Sequence, residues 1–223
     1  VAVSTLLGVA IEKIAYTPLR SAPRLSLLIT AIGISFLLEN GAQLLFGADT
    51  KSMDVIVPGN VSIFGTTVSY AAILTILVSL AAMAALTFLV QKTRLGKAMR
   101  AVSEDMGAAQ LMGISLNKTI SFTFAVGSAL AGIGSVLYLC AYPQASPTMG
   151  SMLGLKAFVA AVLGGIGSIP GAMIGGMAIG LLEALVSAIG LSVWKDGVVF
   201  AILIVVLLVK PTGIMGHKTT EKV

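Results

Sequence analysis

Long uncharged runs dominate the pattern of this chain. Apolar stretches at 25–47, 69–90, 119–142, 155–190 and 197–209 alternate with polar segments too short to fold independently. The plainest of them, SYAAILTILVSLAAMAALTFLV (69–90), holds 22 residues without a charge. As a helix rising ~1.5 Å per residue it reaches ~33 Å, enough for a hydrocarbon core of ~30 Å. The pattern therefore predicts an all-α, polytopic membrane protein with one transmembrane domain over 1–223. Residues 1–11 are also apolar but fall short of the ~17 residues a span needs. They read as the second half of a helix, so the chain is expected to be N-terminally incomplete.

A different periodicity occupies 91–118, QKTRLGKAMRAVSEDMGAAQLMGISLNK. Leu95, Met99, Val102, Met106 and Ala109 recur at steps of four, three, four and three, which predicts one short amphipathic helix ending near Gly113. Lys97, Arg100, Ser103 and Glu104 fall mostly on its other faces. A linker between two spans needs no such pattern, so this helix either rests on headgroups or docks against another protein.

Composition supports the membrane reading. Hydrophobic residues make up 57% of the chain and charged ones 10%, against about 25% charged in soluble domains. A net charge of +5 raises nucleic acid as a partner, but the basic residues lie between apolar spans. The lipid bilayer is the partner they imply, with no nucleic acid. Of the 14 Lys and Arg residues, Lys13, Arg20 and Arg24 precede the first long span, five lie in 91–118, and Lys210, Lys218 and Lys222 lie in the tail. By the positive-inside rule these eleven mark the cytoplasmic side. Segment 48–68 has only Lys51 and 143–154 has no basic residue, so both are expected outside.

An odd number of crossings must then lie between residues 150 and 210. The 36 residues of 155–190 are interrupted by GGIGSIPG (164–171), where Gly164, Gly165, Gly167, Pro170 and Gly171 oppose a continuous helix. Two arms, 155–166 and 172–190, followed by 197–209 satisfy the parity. The first arm is short, so a re-entrant arm stays open as an alternative. Irregular backbone in a membrane is tolerated only against protein or water, so the break is expected inside the bundle or at its cytoplasmic mouth.

No catalytic or metal-binding constellation is readable. His217 is the sole histidine and lies in the polar tail, Cys140 is the sole cysteine, and the carboxylates are scattered. Four charged residues sit within or beside apolar segments. Glu39 shares a helix face with Ser35 and Gln43, with Asn40 alongside, and Glu183 lies on a seam with Gly176, Gly180 and Ser187. These seams either line a translocation path or bond neighbouring helices. Lys156 and Asp196 lie near segment ends and are expected to snorkel to the interface. Gly171 with Gly175, and Gly176 with Gly180, have the spacing that permits close helix contact.

Several stretches carry a family resemblance: IEKIAYTPLRSAPRL (11–25), AIGISFLLEN (31–40), LKAFVAAVLGGIGSIPGAMIGG (155–176) and FAILIVVLLVKPTGIMG (200–216). With them, nearly the whole chain resembles the LivH-type permease subunits of branched-chain amino-acid ABC importers. The NFAHG-like motif and further spans with which members normally begin are missing. The resemblance implies residence in the bacterial cytoplasmic membrane and a coupling helix in 91–118. Ala108, Ala109 and Gly113 match the spacing of the EAA motif and its following glycine, with Gly107 where the glutamate would stand. Leu95, Gly96, Met99, Arg100, Val102, Glu104 and Asp105 would complete that ATPase-coupling loop. It further implies a LivM-type second permease subunit, two ATP-binding subunits that use ATP and Mg, and an extracytoplasmic amino-acid-binding protein. This chain would bind no cofactor and perform no enzymatic step. A self-sufficient channel or secondary transporter, and a noncatalytic membrane scaffold, are the competing readings.

Overall fold

The computed structural model describes residues 1–19, 22–63, 66–210 and 212–216. Arg20, His217, Lys218 and Lys222 lie outside the described residues. The chain divides into two compact units, Val1–Thr148 and Met149–Val223.

The first unit contains α1 (Ala2–Ile11), α2 (Arg24–Phe46), α3 (Tyr70–Lys92), α4 (Arg94–Glu104), α5 (Met106–Leu111) and α6 (Leu116–Ala141). Helices α2, α3 and α6 realise the first three long apolar stretches. α1 runs into one wide turn, Glu12–Tyr16, in which the Thr17 amide donates to the Glu12 carbonyl at 2.9 Å. It lies against α6 on small residues: Gly8 faces Ser128, and Gly132 faces Val1 and Ser4. The Ser4 hydroxyl donates to the Ser128 carbonyl at 2.7 Å. Without bulky side chains between them the backbones approach closely, which is how helices associate where no hydrophobic effect separates them from lipid.

The polar segments of this unit contain short strands that the apolar pattern did not predict. Strand β1 (Lys51–Ser52) pairs antiparallel with residues Gln144–Ala145, and β2 (Asn60–Ile63) forms a hairpin with β3 (Thr66–Ser69). The first pairing matches Lys51 to Ala145 and Ser52 to Gln144. The two lysine-poor segments, 48–68 and 143–154, are thereby tied to each other.

The second unit contains α7 (Met149–Gly164), α8 (Ile169–Ala188) and α9 (Lys195–Val209). Val159, Ile179 and Val199, one from each helix, form its buried core. A methyl group added to Gly164 or Gly171 would strike the backbone of the other residue's helix, and one added to Gly175 would strike the Ala160 carbonyl. A methyl on Gly180 would meet open space. The first glycine pair thus packs α8 onto α7, while Gly180 of the second is not part of that contact.

The turn between α7 and α8 is shorter than the two-arm reading and differs in the role of its proline. Gly165 (φ 108°) and Gly167 (φ 93°) make the reversal in left-handed backbone that disfavours other residues. Ser168 caps α8, its hydroxyl accepting from the Gly171 amide at 3.1 Å. Pro170 lies in the first turn of α8, where a missing N–H costs nothing. It starts that helix rather than interrupting a longer one. The last carbonyls of α7 also find partners, because the amides of Ile214 and Met215 donate to Leu163 and Gly164, both at 2.9 Å.

Among the described residues, Leu25–Phe46, Tyr70–Lys92, Leu116–Ala141, Ile169–Ala188 and Ser192–Val209 are long and apolar enough to cross a membrane, with Met149–Gly164 shorter. This is a polytopic, helical membrane protein.

Candidate functional site

The segment between α3 and α6 is an elbow of two helices, where the periodic pattern predicted one. Thr93 ends α3 and caps α4 at once: its hydroxyl donates to the Leu89 carbonyl at 2.6 Å and accepts from the Gly96 amide at 3.0 Å. Gly96 is buried because the new helix crosses tightly over the old one, and a methyl there would strike the carbonyls of Leu89 and Val90. Asp105 then breaks the run. Its backbone leaves the helical region, and its carboxylate accepts from the amides of Gly107 and Ala108 at 2.8 and 3.0 Å. An aspartate with two free amides following it is a favourable N-cap, which overrides the apolar spacing running through it.

The exit from α5 turns on Gly113. Its φ of 82° lies in the left-handed region, its amide donates to Gln110, and the Ile114 amide donates to Ala109, both at 3.0 Å. This is the usual way a helix closes on glycine. The glycine of the Ala-Ala-x-x-x-Gly spacing therefore has a conformational reason to be there.

The faces are distributed differently from the amphipathic reading. Met99 and Val102 are half-buried as α4 packs on α3 and α6, and Ala109 is buried. Leu95, Arg100, Glu104, Met106 and Ala108 are exposed. The most prominent apolar groups are Leu111 (91% exposed) and Met112 (83% exposed), at the end of α5. Both fall outside the apolar stripe and so carry no periodic signal. Beside them Ala101, Glu104, Asp105, Ala108, Ala109 and Met112 line a notch of about 210 Å³. The elbow thus ends in a short helix, α5, held by caps at both ends and bearing two apolar knobs beside a notch.

Of the polar groups in the spans, Ser35 and Asn40 are exposed on α2, while Glu39 and Gln43 are half-buried. Asn40 donates back to the Phe36 carbonyl at 2.7 Å. Glu183 lies elsewhere and has a specific partner. Lys156 on α7 contacts Glu183 on α8 at 2.8 Å and Asp196 on α9 at 2.7 Å. The expected snorkelling of Lys156 and Asp196 gives way to this three-helix ion cluster. In an apolar unit a charge gains more from a countercharge than from a long reach to water.

One buried carboxylate escaped the sequence reading. Glu12 is fully buried in the wide turn after α1, accepting from the Ser121 hydroxyl on α6 at 2.5 Å and the Thr17 hydroxyl at 3.0 Å. Its signal was a carboxylate immediately following an apolar helix with hydroxyl-bearing residues on a neighbouring span. No group of histidine, cysteine and carboxylate side chains suited to a metal ion occurs among the described residues.

Comparisons with known proteins agree with this architecture. The family described as "Branched-chain amino acid transport system / permease component" matches residues 1–207. The high-affinity branched-chain amino acid transport system permease protein BraD of Pseudomonas aeruginosa is 43% identical over 99% of this chain and 74% of its own length. LivH of Salmonella typhimurium, of the same description, is 44% identical over 99% of this chain and 73% of its own length. LivH of Escherichia coli is 43% identical over the whole of this chain and 74% of its own length. No solved structure matches. The chain therefore belongs to the permease-component family of branched-chain amino acid transport systems.

Proposed function

We propose that this chain is a membrane permease subunit of an ATP-driven importer of leucine, isoleucine and valine in the bacterial cytoplasmic membrane. It forms one half of the pathway beside a LivM-type second permease subunit. Two ATP-binding subunits, using ATP and Mg, dock from the basic side, and an extracytoplasmic binding protein delivers the amino acid on the other. The substrate class is supported by the names of the relatives and by their similarity over nearly the whole chain.

The observation that carries the coupling role is the capped α5 elbow. Leu111 and Met112 stand exposed at the end of α5, Met112 on the wall of a notch that Glu104 and Asp105 line with charge. Apolar anchors within a polar rim are what a stable protein contact requires.

The test is co-purification of the ATP-binding subunits with the assembled permease. Replacing Leu111 and Met112 together by aspartate should weaken the contact about 30-fold or more, the scale of losing a central anchor of about 2 kcal/mol. ATP-driven leucine uptake should fall with it. Unchanged co-purification and uptake would sink the docking assignment. Leucine flux through this chain alone, without ATP-binding subunits, would instead support a self-sufficient channel or secondary transporter.

A further inference from the structure

At the end of the first unit opposite the elbow, the C-terminal turn of α2 and the segment after β1's partner strand enclose a pocket of about 300 Å³. That volume is at the lower end of small-molecule sites. Its floor is apolar, formed by Ala42, Phe46, Ala145 and Pro147. Asp49 and Lys51 line the same pocket, both exposed, and neither makes an ion pair among the described residues. The β1 pairing of Lys51 with Ala145 fixes the cationic wall against the floor.

Resting on the reading of an importer of aliphatic amino acids, we propose that this pocket is a receiving site for a zwitterionic α-amino acid with a branched aliphatic side chain. Lys51 takes the carboxylate, Asp49 takes the ammonium group, and the side chain lies on the apolar floor. One chemical feature favours this ligand over a simple ion. The pocket offers one charge of each sign, so a singly charged solute satisfies half of it. The α2 helix also ends here at Gly47, and the unpaired carbonyls of a helix C-terminus favour a cation beside Asp49. A concave site with an apolar floor suits a small molecule better than a flat protein face.

The experiment uses the assembled importer in proteoliposomes, with Ser146→Cys as a reporter on the pocket wall. Cys140 is buried, so a membrane-impermeant thiol reagent reads the new cysteine. Leucine without binding protein should slow labelling about tenfold at ten times its dissociation constant. Neither 3-methylbutylamine nor 4-methylpentanoate, each carrying one of the two charges, should protect comparably. Asp49→Asn and Lys51→Gln should each abolish protection. In assemblies keeping Ser146, the same two variants should raise the leucine-loaded binding-protein concentration for half-maximal uptake less than about twofold while lowering the maximal uptake rate.

Protection by leucine that survives both variants, or no protection at all, overturns the proposal. Protection by the binding protein but not by leucine also overturns it and assigns the pocket to protein docking. ATP-driven leucine uptake by the unsubstituted assembly tests the importer reading separately. Intact uptake without leucine protection would therefore reject the pocket alone.

Discussion

Two of the chain's reversals, one in each unit, are built by different means. Between α3 and α6 the reversal is built from side chains: Thr93 and Asp105 supply the missing hydrogen bonds, and large apolar groups are left on the outside. Between α7 and α8 it is built from backbone: Gly164, Gly171 and Gly175 bring main chain against main chain, and the tail amides of Ile214 and Met215 close the end of α7. A reversal held by caps can carry bulky exposed groups without strain. One held by close backbone contact has no room for them. The first suits a surface met by a partner, and the second suits a joint internal to its unit.

This contrast is broken most severely at the backbone joint. Gly175→Leu would force a side chain into the Ala160 carbonyl, and a cost of about 3 kcal/mol is expected, since overpacking cannot be relieved by rotamer changes alone. Thermal unfolding of the solubilised protein should show it, with Gly180→Leu, which meets open space, as the mild control. Equal tolerance of both substitutions would contradict the packing described.

The ion cluster gives the next effect. Truncating one partner of a buried pair costs about 3–5 kcal/mol, and with side chains retaining 19% to 34% exposure a value of about 2 kcal/mol is expected for Lys156→Met. Adding Glu183→Leu and Asp196→Leu to that variant should recover most of the loss, because isolated charges rather than missing pairs cause the damage. Thermal stability of the single and triple variants tests this, and a triple variant less stable than the single one would refute it.

Cap removal sharpens the other side of the comparison. Asp105→Ala should cost about 1 kcal/mol, expressed as faster amide exchange at Gly107 and Ala108 in α5 while α6 is unaffected. Smallest for stability is Leu111→Ser, a surface change expected within about 0.5 kcal/mol. Its effect should appear instead as reduced co-purification of ATP-binding subunits. A large loss of stability from this substitution would mean that the knob serves the fold.

The long helices were legible because each needs a run of apolar residues that few other structures share. α2, α3 and α6 stand within three residues of the stretches read for them. The division at Asp105 was hidden by the same kind of argument. Leu95, Met99, Val102, Met106 and Ala109 keep helical spacing straight through it, and only the capping chemistry of Asp105 marks the break. Lys156, Glu183 and Asp196 lie on three different helices, so no local pattern could join them, and the pairing of Lys51 with Ala145 was hidden for the same reason. Leu111 and Met112 were invisible to a search for a periodic face because they lie off it.

The main-chain contact of α7 with α8 has a mechanical consequence. Side chains between two helices act as a soft layer that can rearrange when one helix slides, but here the layer is absent along Gly164, Gly171 and Gly175. The two helices are geared together, and sliding one past the other would drive peptide groups into each other. A tilt of one helix is therefore transmitted to the other through main chain rather than absorbed between side chains.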